Sequence, residues 1–135
     1  MNKENIEILA KVIEEQKPGG YADYSGFNMS ALLHSCGTPM CMAGFGAWLK
    51  QGKPDIVYHN PYKMWEVEDA AATFLGFGPF PKNRTAFAHP LYKLFYPGGS
   101  YYNATPAQAA RVLRHLAKTG VVDWEVSGII NEEEE

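Results

Sequence analysis

Residues 36–52 read Cys-Gly-Thr-Pro-Met-Cys-Met-Ala-Gly-Phe-Gly-Ala-Trp-Leu-Lys-Gln-Gly, and the fold turns on this stretch. Thr38 is a good N-cap, and Pro39 suits the first helical position, where a missing N–H costs nothing. The spacing predicts a helix over 39–50, with Gly52 as its stop. Its interior carries Gly44 and Gly46 beside Ala43 and Ala47, and each glycine costs about 1 kcal/mol against alanine. Close approach of another helix to a face without side chains would offset that cost. The helix therefore belongs at the centre of the fold, with Met40, Phe45, Trp48 and Leu49 filling space around it.

Working outward, the N-terminal segment reads as a helix over 3–16. Ile6, Leu9, Ala10, Val12 and Ile13 form its apolar stripe, and Lys17-Pro18-Gly19-Gly20 stops it. Asp55-Ile56-Val57-Tyr58 allows at most a short strand between Pro54 and Pro61. A third helix is expected over 65–75, burying Val67, Ala70, Ala71, Phe74 and Leu75. Residues 76–104 form a long connection rich in proline, glycine and aromatic rings. An unstructured loop of that length is uncommon in a small domain, so a short helix is expected over 90–96. The last helix is announced by Thr105-Pro106-Ala107-Gln108, a capping box with proline at the first position, and Gly120 closes it. Trp124 should anchor the chain as it packs back. The reading is a mainly α fold: about five helices around the central small-residue helix 39–50, with at most a minor β element. Residues 1–130 form a single domain and 131–135 an acidic, frayed tail.

Composition narrows the function classes. The chain has 135 residues, 46% hydrophobic and 13% aromatic, with a formal net charge of -3. That excludes disorder over most of the length and a globally basic nucleic-acid binder. No run approaches the ~18 apolar residues of a membrane span. Met1-Asn2-Lys3-Glu4-Asn5 is polar and lacks the apolar stretch of a signal peptide. A cytoplasmic protein with no membrane partner is the expectation.

Cys36 and Cys41 are the only cysteines, and four readings of them stand side by side. In the first, Cys41 is a small buried hydrophobe on a tightly packed helix, and Cys36-Gly37 shapes the turn before it. In the second, the two form a disulfide or redox switch, although no Cys-x-x-Cys signature is present. In the third, His34, Cys36 and Cys41 hold zinc, with His59, His89 or His115 as a fourth ligand. The gap of four between the cysteines is at the edge of usual zinc spacing. In the fourth, Cys41 is a thiolate nucleophile in the first turn of its helix, paired with His89 and oriented by Asn103. The three occur in the chain order of papain-like hydrolases, but without an obvious sheet to hold the histidine.

Other clusters read more plainly. Gly44-x-Gly46 lies within a helix and lacks a third glycine, so it is not a nucleotide fingerprint. Glu66, Glu68 and Asp69 read as a solvated helix end. Arg111, Arg114, His115 and Lys118 form a basic helix face without interleaved aromatics, which argues against nucleic acid. Phe80, Phe87, Tyr92, Tyr96, Tyr101 and Tyr102 crowd the long connection. They either close the core or anchor a partner.

Several of these elements, taken in order, resemble a group of small, uncharacterised bacterial and phage proteins. The shared features are Cys36-Gly37-Thr38-x-x-Cys41-x-Ala43-Gly44, Ala70-Ala71 running to Leu75-Gly76, Leu94-Phe95, and a threonine-proline-capped helix leading into Thr119-Gly120-Val121-Val122-Asp123-Trp124. The likeness covers roughly residues 27–124. The group often has tryptophan or histidine where this chain has Phe45. The resemblance implies a helical fold and a phage or mobile-element setting, and it carries no activity. The function expected from the sequence is a small cytoplasmic, non-enzymatic binding protein with a protein or small-molecule partner and no resident cofactor. A homo-oligomer is left open. The alternatives are a thiol-dependent hydrolase or transferase using Cys41, and a small zinc-stabilised domain.

Overall fold

The computed structural model describes residues 1–18, 26–29, 39–55, 65–80 and 88–129. Among the described residues five α-helices follow one another: α1 (Lys3–Glu14), α2 (Met42–Lys50), α3 (Trp65–Phe74), α4 (Tyr92–Phe95) and α5 (Pro106–Thr119). Two 3₁₀ turns, Gly99–Asn103 and Trp124–Ser127, flank α5. The β content of the described residues is limited to isolated bridge positions, among them a parallel bridge between Pro18 and Phe27. The fold is mainly α, as the sequence indicates. The strand considered at 56–58 lies outside the described residues, as does the acidic tail 131–135.

Two helix pairs organise the core. In the first, α1 packs along α5. Ile6, Leu9, Ala10 and Ile13 from one side and Ala109, Val112, Leu113 and Leu116 from the other are all buried. The Arg114 guanidinium closes the edge of this pair, donating to Glu14 at 2.6 and 3.2 Å, with Glu7 at 3.6 Å. The sequence makes both helices amphipathic with the right period, so their apolar stripes have to meet.

In the second pair, α2 packs on α3 at very short range. A Cβ built on Gly46 would stand 2.8 Å from the Ala71 Cβ. Gly46 therefore meets an alanine across the interface, and this contact accounts for a glycine in a helix interior. Leu9 of α1 reaches the same place, 3.9 Å from that Cβ position. The small-residue helix thus lies between α1 and α3, as its composition requires.

The start of α2 differs from expectation. Residues 39–41 are not helical, and the helix begins at Met42 with Cys41 as its N-cap. The reason is tertiary. The Asn28 N–H donates to the Met40 carbonyl at 2.8 Å, and the first helical bond runs from Phe45 N–H to the Cys41 carbonyl. A long-range bond has taken the carbonyl that an earlier helix start would use.

The end of α3 is tied to the start of α1. The Phe77 N–H donates to Ala72 and the Gly76 N–H to Thr73, both at 3.0 Å, which is a Schellman turn with glycine at φ 80°. The Asn2 N–H then donates to the Leu75 carbonyl at 2.8 Å, and the Asn5 amide to Phe74 at 2.7 Å. A Cβ at Gly76 would come within 2.6 Å of the Asn2 nitrogen. This glycine supplies both the left-handed φ and the space for the N-terminus.

At the other end, α5 has the expected cap. The Thr105 hydroxyl accepts from Gln108 N–H at 3.2 Å, and the Gln108 side chain accepts from Thr105 N–H at 2.9 Å. Gly120 ends the helix in the left-handed conformation. The chain then returns, and the Trp124 indole N–H donates to the Lys93 carbonyl at 2.8 Å. That bond fixes the C-terminal segment beside α4. No helix among the described residues is long and apolar enough to cross a membrane.

Candidate functional site

The aromatic residues of the long connection divide by burial. Phe80 and Phe95 are core, with ring centroids 5.7 Å apart. Tyr102 is half-buried against the core. Phe87 lies outside the described residues. Tyr92, Tyr96 and Tyr101 line a cleft of about 330 Å³.

Three separate segments build this cleft. One wall comes from α4 and the turn after it, with Tyr92, Lys93, Tyr96 and Pro97. Tyr101 of the 3₁₀ turn joins the lining, and the returning chain adds Val122, Asp123, Trp124 and Glu125. The rings stand in two pairs. Tyr92 and Tyr96, one helical turn apart, have centroids 5.1 Å apart at 36°. Tyr101 and Trp124 have centroids 5.8 Å apart at 31°. Both pairs are tilted, with centroids inside the 4.5–7 Å range of interacting rings.

The rings are held from behind. Trp124 is nearly fully buried and pinned through its indole N–H to Lys93. Tyr96 lies close to Glu68 of α3, and the two side chains interact electrostatically. Burial first, then the Glu68 carboxylate, push the Tyr96 phenol far above its ordinary range, so it keeps its proton. Glu68 is itself only 7% exposed, and burial raises its pKa against the opposing pull of Tyr96. The sequence reading of Glu68 as part of a solvated helix end is therefore corrected. The reason is its register: Glu68, Ala72 and Leu75 fall at i, i+4 and i+7, on one buried face of the helix region.

Cys41 lies near this buried pair, as its charge interaction with Glu68 indicates. It is 1% exposed and carries a free thiol. Burial pushes the thiol up to about 11, and the Glu68 charge adds to the rise. The backbone N–H groups of Gly44 and Ala43 pull the other way, each by more than the Glu68 charge adds but by less than burial. The helix N-terminus does favour a thiolate here, as the sequence suggests, but desolvation is the larger effect. Cys41 is the N-cap rather than a member of the first turn, and its side chain makes no capping hydrogen bond.

The other residues singled out from the sequence are dispersed. His89 serves as a turn staple. Its Nδ1 accepts from Leu91 N–H at 3.1 Å, its Nε2 is 3.4 Å from the Gly78 carbonyl, and its ring lies 4.8 Å from that of Phe80. Asn103 is exposed at the end of its 3₁₀ turn. No hydrogen bond among the described residues joins Cys41, His89 and Asn103. His34, Cys36 and His59 lie outside the described residues. Among those described, no group of three histidine, cysteine or carboxylate side chains converges as a metal site would.

No family model, curated protein or solved structure matches the chain.

Proposed function

We propose that the chain is a small non-enzymatic binding module whose cleft between α4 and the 122–125 segment takes up one small ligand or one side chain of a partner. One observation carries this reading: the ring pairs Tyr92–Tyr96 and Tyr101–Trp124, the second fixed by the Trp124–Lys93 hydrogen bond, line a concave volume of about 330 Å³. That volume lies at the small end of ligand sites, which run from about 300 to 1,000 Å³. Rings already held in place lose little freedom on binding, so more of the contact energy appears as affinity. A nucleophilic role for Cys41 would need an ionised, reachable thiol, and burial favours neither. The motif order is the support for placing the protein among small bacterial or phage proteins.

A fragment screen read by thermal shift tests the proposal, because a ligand that binds only the folded state raises its melting temperature. Val122→Trp would fill the cleft, whereas Val121→Trp alters a neighbouring position that is 57% exposed and outside it. Fragments should stabilise the wild type and Val121→Trp and fail on Val122→Trp. Equal stabilisation of all three would place binding elsewhere and overturn the reading.

A further inference from the structure

We propose that the cleft selects an organic cation, specifically a methylated ammonium group on a short stem. This rests on reading the cleft as a binding site, and it adds the chemistry of the occupant. Two features of the lining combine.

The first is the π surface. Four aromatic rings from three segments line one small space: Tyr92 and Tyr96 are half-buried and offer ring surface, while Tyr101 and Trp124, 4% and 6% exposed, back it. The face of such a ring carries negative partial charge and attracts cations within about 6 Å, most strongly where water is excluded. Tyr96 is the best of the phenols for this purpose. Its ring is half-buried and packs against that of Tyr92 at 5.1 Å, which limits its movement.

The second is charge. Asp123 and Glu125 bring two carboxylates to the lining against the single ammonium of Lys93. No ion pair among the described residues neutralises either carboxylate; the ion pairs of Arg114 lie with Glu7 and Glu14 of α1. Asp123 Oδ1 accepts the Glu125 N–H at 2.9 Å, which sets the backbone of the turn. Lys93 is exposed, and its long stem lets the ammonium swing into water. An anion would meet two carboxylates, and a neutral ligand would leave them unused. A strongly hydrated cation would lose its water to rings that cannot replace it. A methylated ammonium is weakly hydrated, spreads its charge over its methyl groups and suits aromatic walls.

The test compares choline with 3,3-dimethylbutan-1-ol, its uncharged carbon isostere, on the full chain. Binding is followed by ¹H–¹⁵N NMR at the Trp124 indole and the Lys93 and Asp123 amides. Choline is expected to bind at least about tenfold more tightly than the isostere, equivalent to about 1.4 kcal/mol. Its advantage should shrink as salt rises. Glu125→Gln, at an exposed position, should weaken choline several-fold and leave the isostere unchanged. Tyr92→Leu keeps bulk and removes a π face, so it should reduce the preference for choline over the isostere. Equal binding of choline and the isostere, or preferential binding of benzoate, would overturn the cation inference while leaving the cleft as a binding site. No binding at the cleft by any of the three probes would overturn both.

Discussion

Replacing Gly46 by alanine probes the seat of α2 on α3. The new Cβ would lie 2.8 Å from the Ala71 Cβ, 3.2 Å from the Ala71 Cα and 3.9 Å from Leu9 Cδ2. Non-bonded carbons rest at about 3.5–4.0 Å, so the helices must separate or slide by up to about 1 Å. Helix propensity works in the opposite direction and favours alanine by about 1 kcal/mol. The steric effect should win, because the two closest atoms, the Cβ and Cα of Ala71, cannot rotate away. Overpacking of this kind costs typically about 1–3 kcal/mol. A net loss of about 1–2 kcal/mol is expected, visible as a lower urea midpoint with unchanged slope. Ala71→Gly removes the closest clash, so the double variant should be more stable than the sum of the single changes predicts. The coupling should be at least about 1 kcal/mol. A Gly46→Ala protein as stable as the wild type, with additive effects in the cycle, would refute this reasoning.

Other expectations follow from the same geometry. With its thiol pushed up to about 11, Cys41 should be ionised at pH 7 in about one molecule in 10⁴, against a few per cent for a thiol of pKa near 8.5. Ionisation alone should slow its alkylation by iodoacetamide about 300-fold, measured at the Cys41 peptide by mass spectrometry; equal rates in folded and denatured protein would contradict its burial. Glu68 holds its proton more tightly when folded, since burial raises its pKa above the ordinary 4.5. Its contribution to stability is thus most favourable below the unfolded value and declines as pH rises through the folded one. Glu68→Gln removes the charge, so its stability relative to wild type should improve from pH 4 to pH 7; a constant difference would count against the buried carboxylate. Thr105→Ala breaks the capping box and should cost about 1 kcal/mol by urea unfolding, while no loss would show that the cap contributes little.

What the sequence makes legible here is chiefly local. The ends of α5 follow from Thr105, Pro106, Gln108 and Gly120, each acting within one turn of its neighbours. The depth of α2 follows from its glycines and alanines, because an interior Gly46 needs a close neighbour to justify it. Its start at Met42 was hidden, since the Pro39 signal is local and the Asn28–Met40 bond crosses a long stretch of chain. Glu68 was misread because its charge outweighed its spacing from Ala72 and Leu75, although that spacing carries the buried register.

The cleft was half visible. Tyr92, Tyr96 and Tyr101 stand out as a crowded aromatic run, but Asp123, Trp124 and Glu125 reach them only after α5 has reversed the chain. The single sequence clue was a tryptophan between two carboxylates just beyond a helix stop. Chain order, by contrast, carried no distance information: Cys41, His89 and Asn103 follow one another in a suggestive order without a hydrogen bond between them.

The most direct measurement is an intermolecular NOE experiment on the full chain, with a fragment from the thermal-shift screen at saturating concentration. Contacts from the fragment's protons to the rings of Tyr92, Tyr96 and Trp124 are expected, together with contacts to the Val122 methyl groups. Contacts confined to residues outside these segments, or none at saturation, would contradict the assignment of the cleft as the binding site.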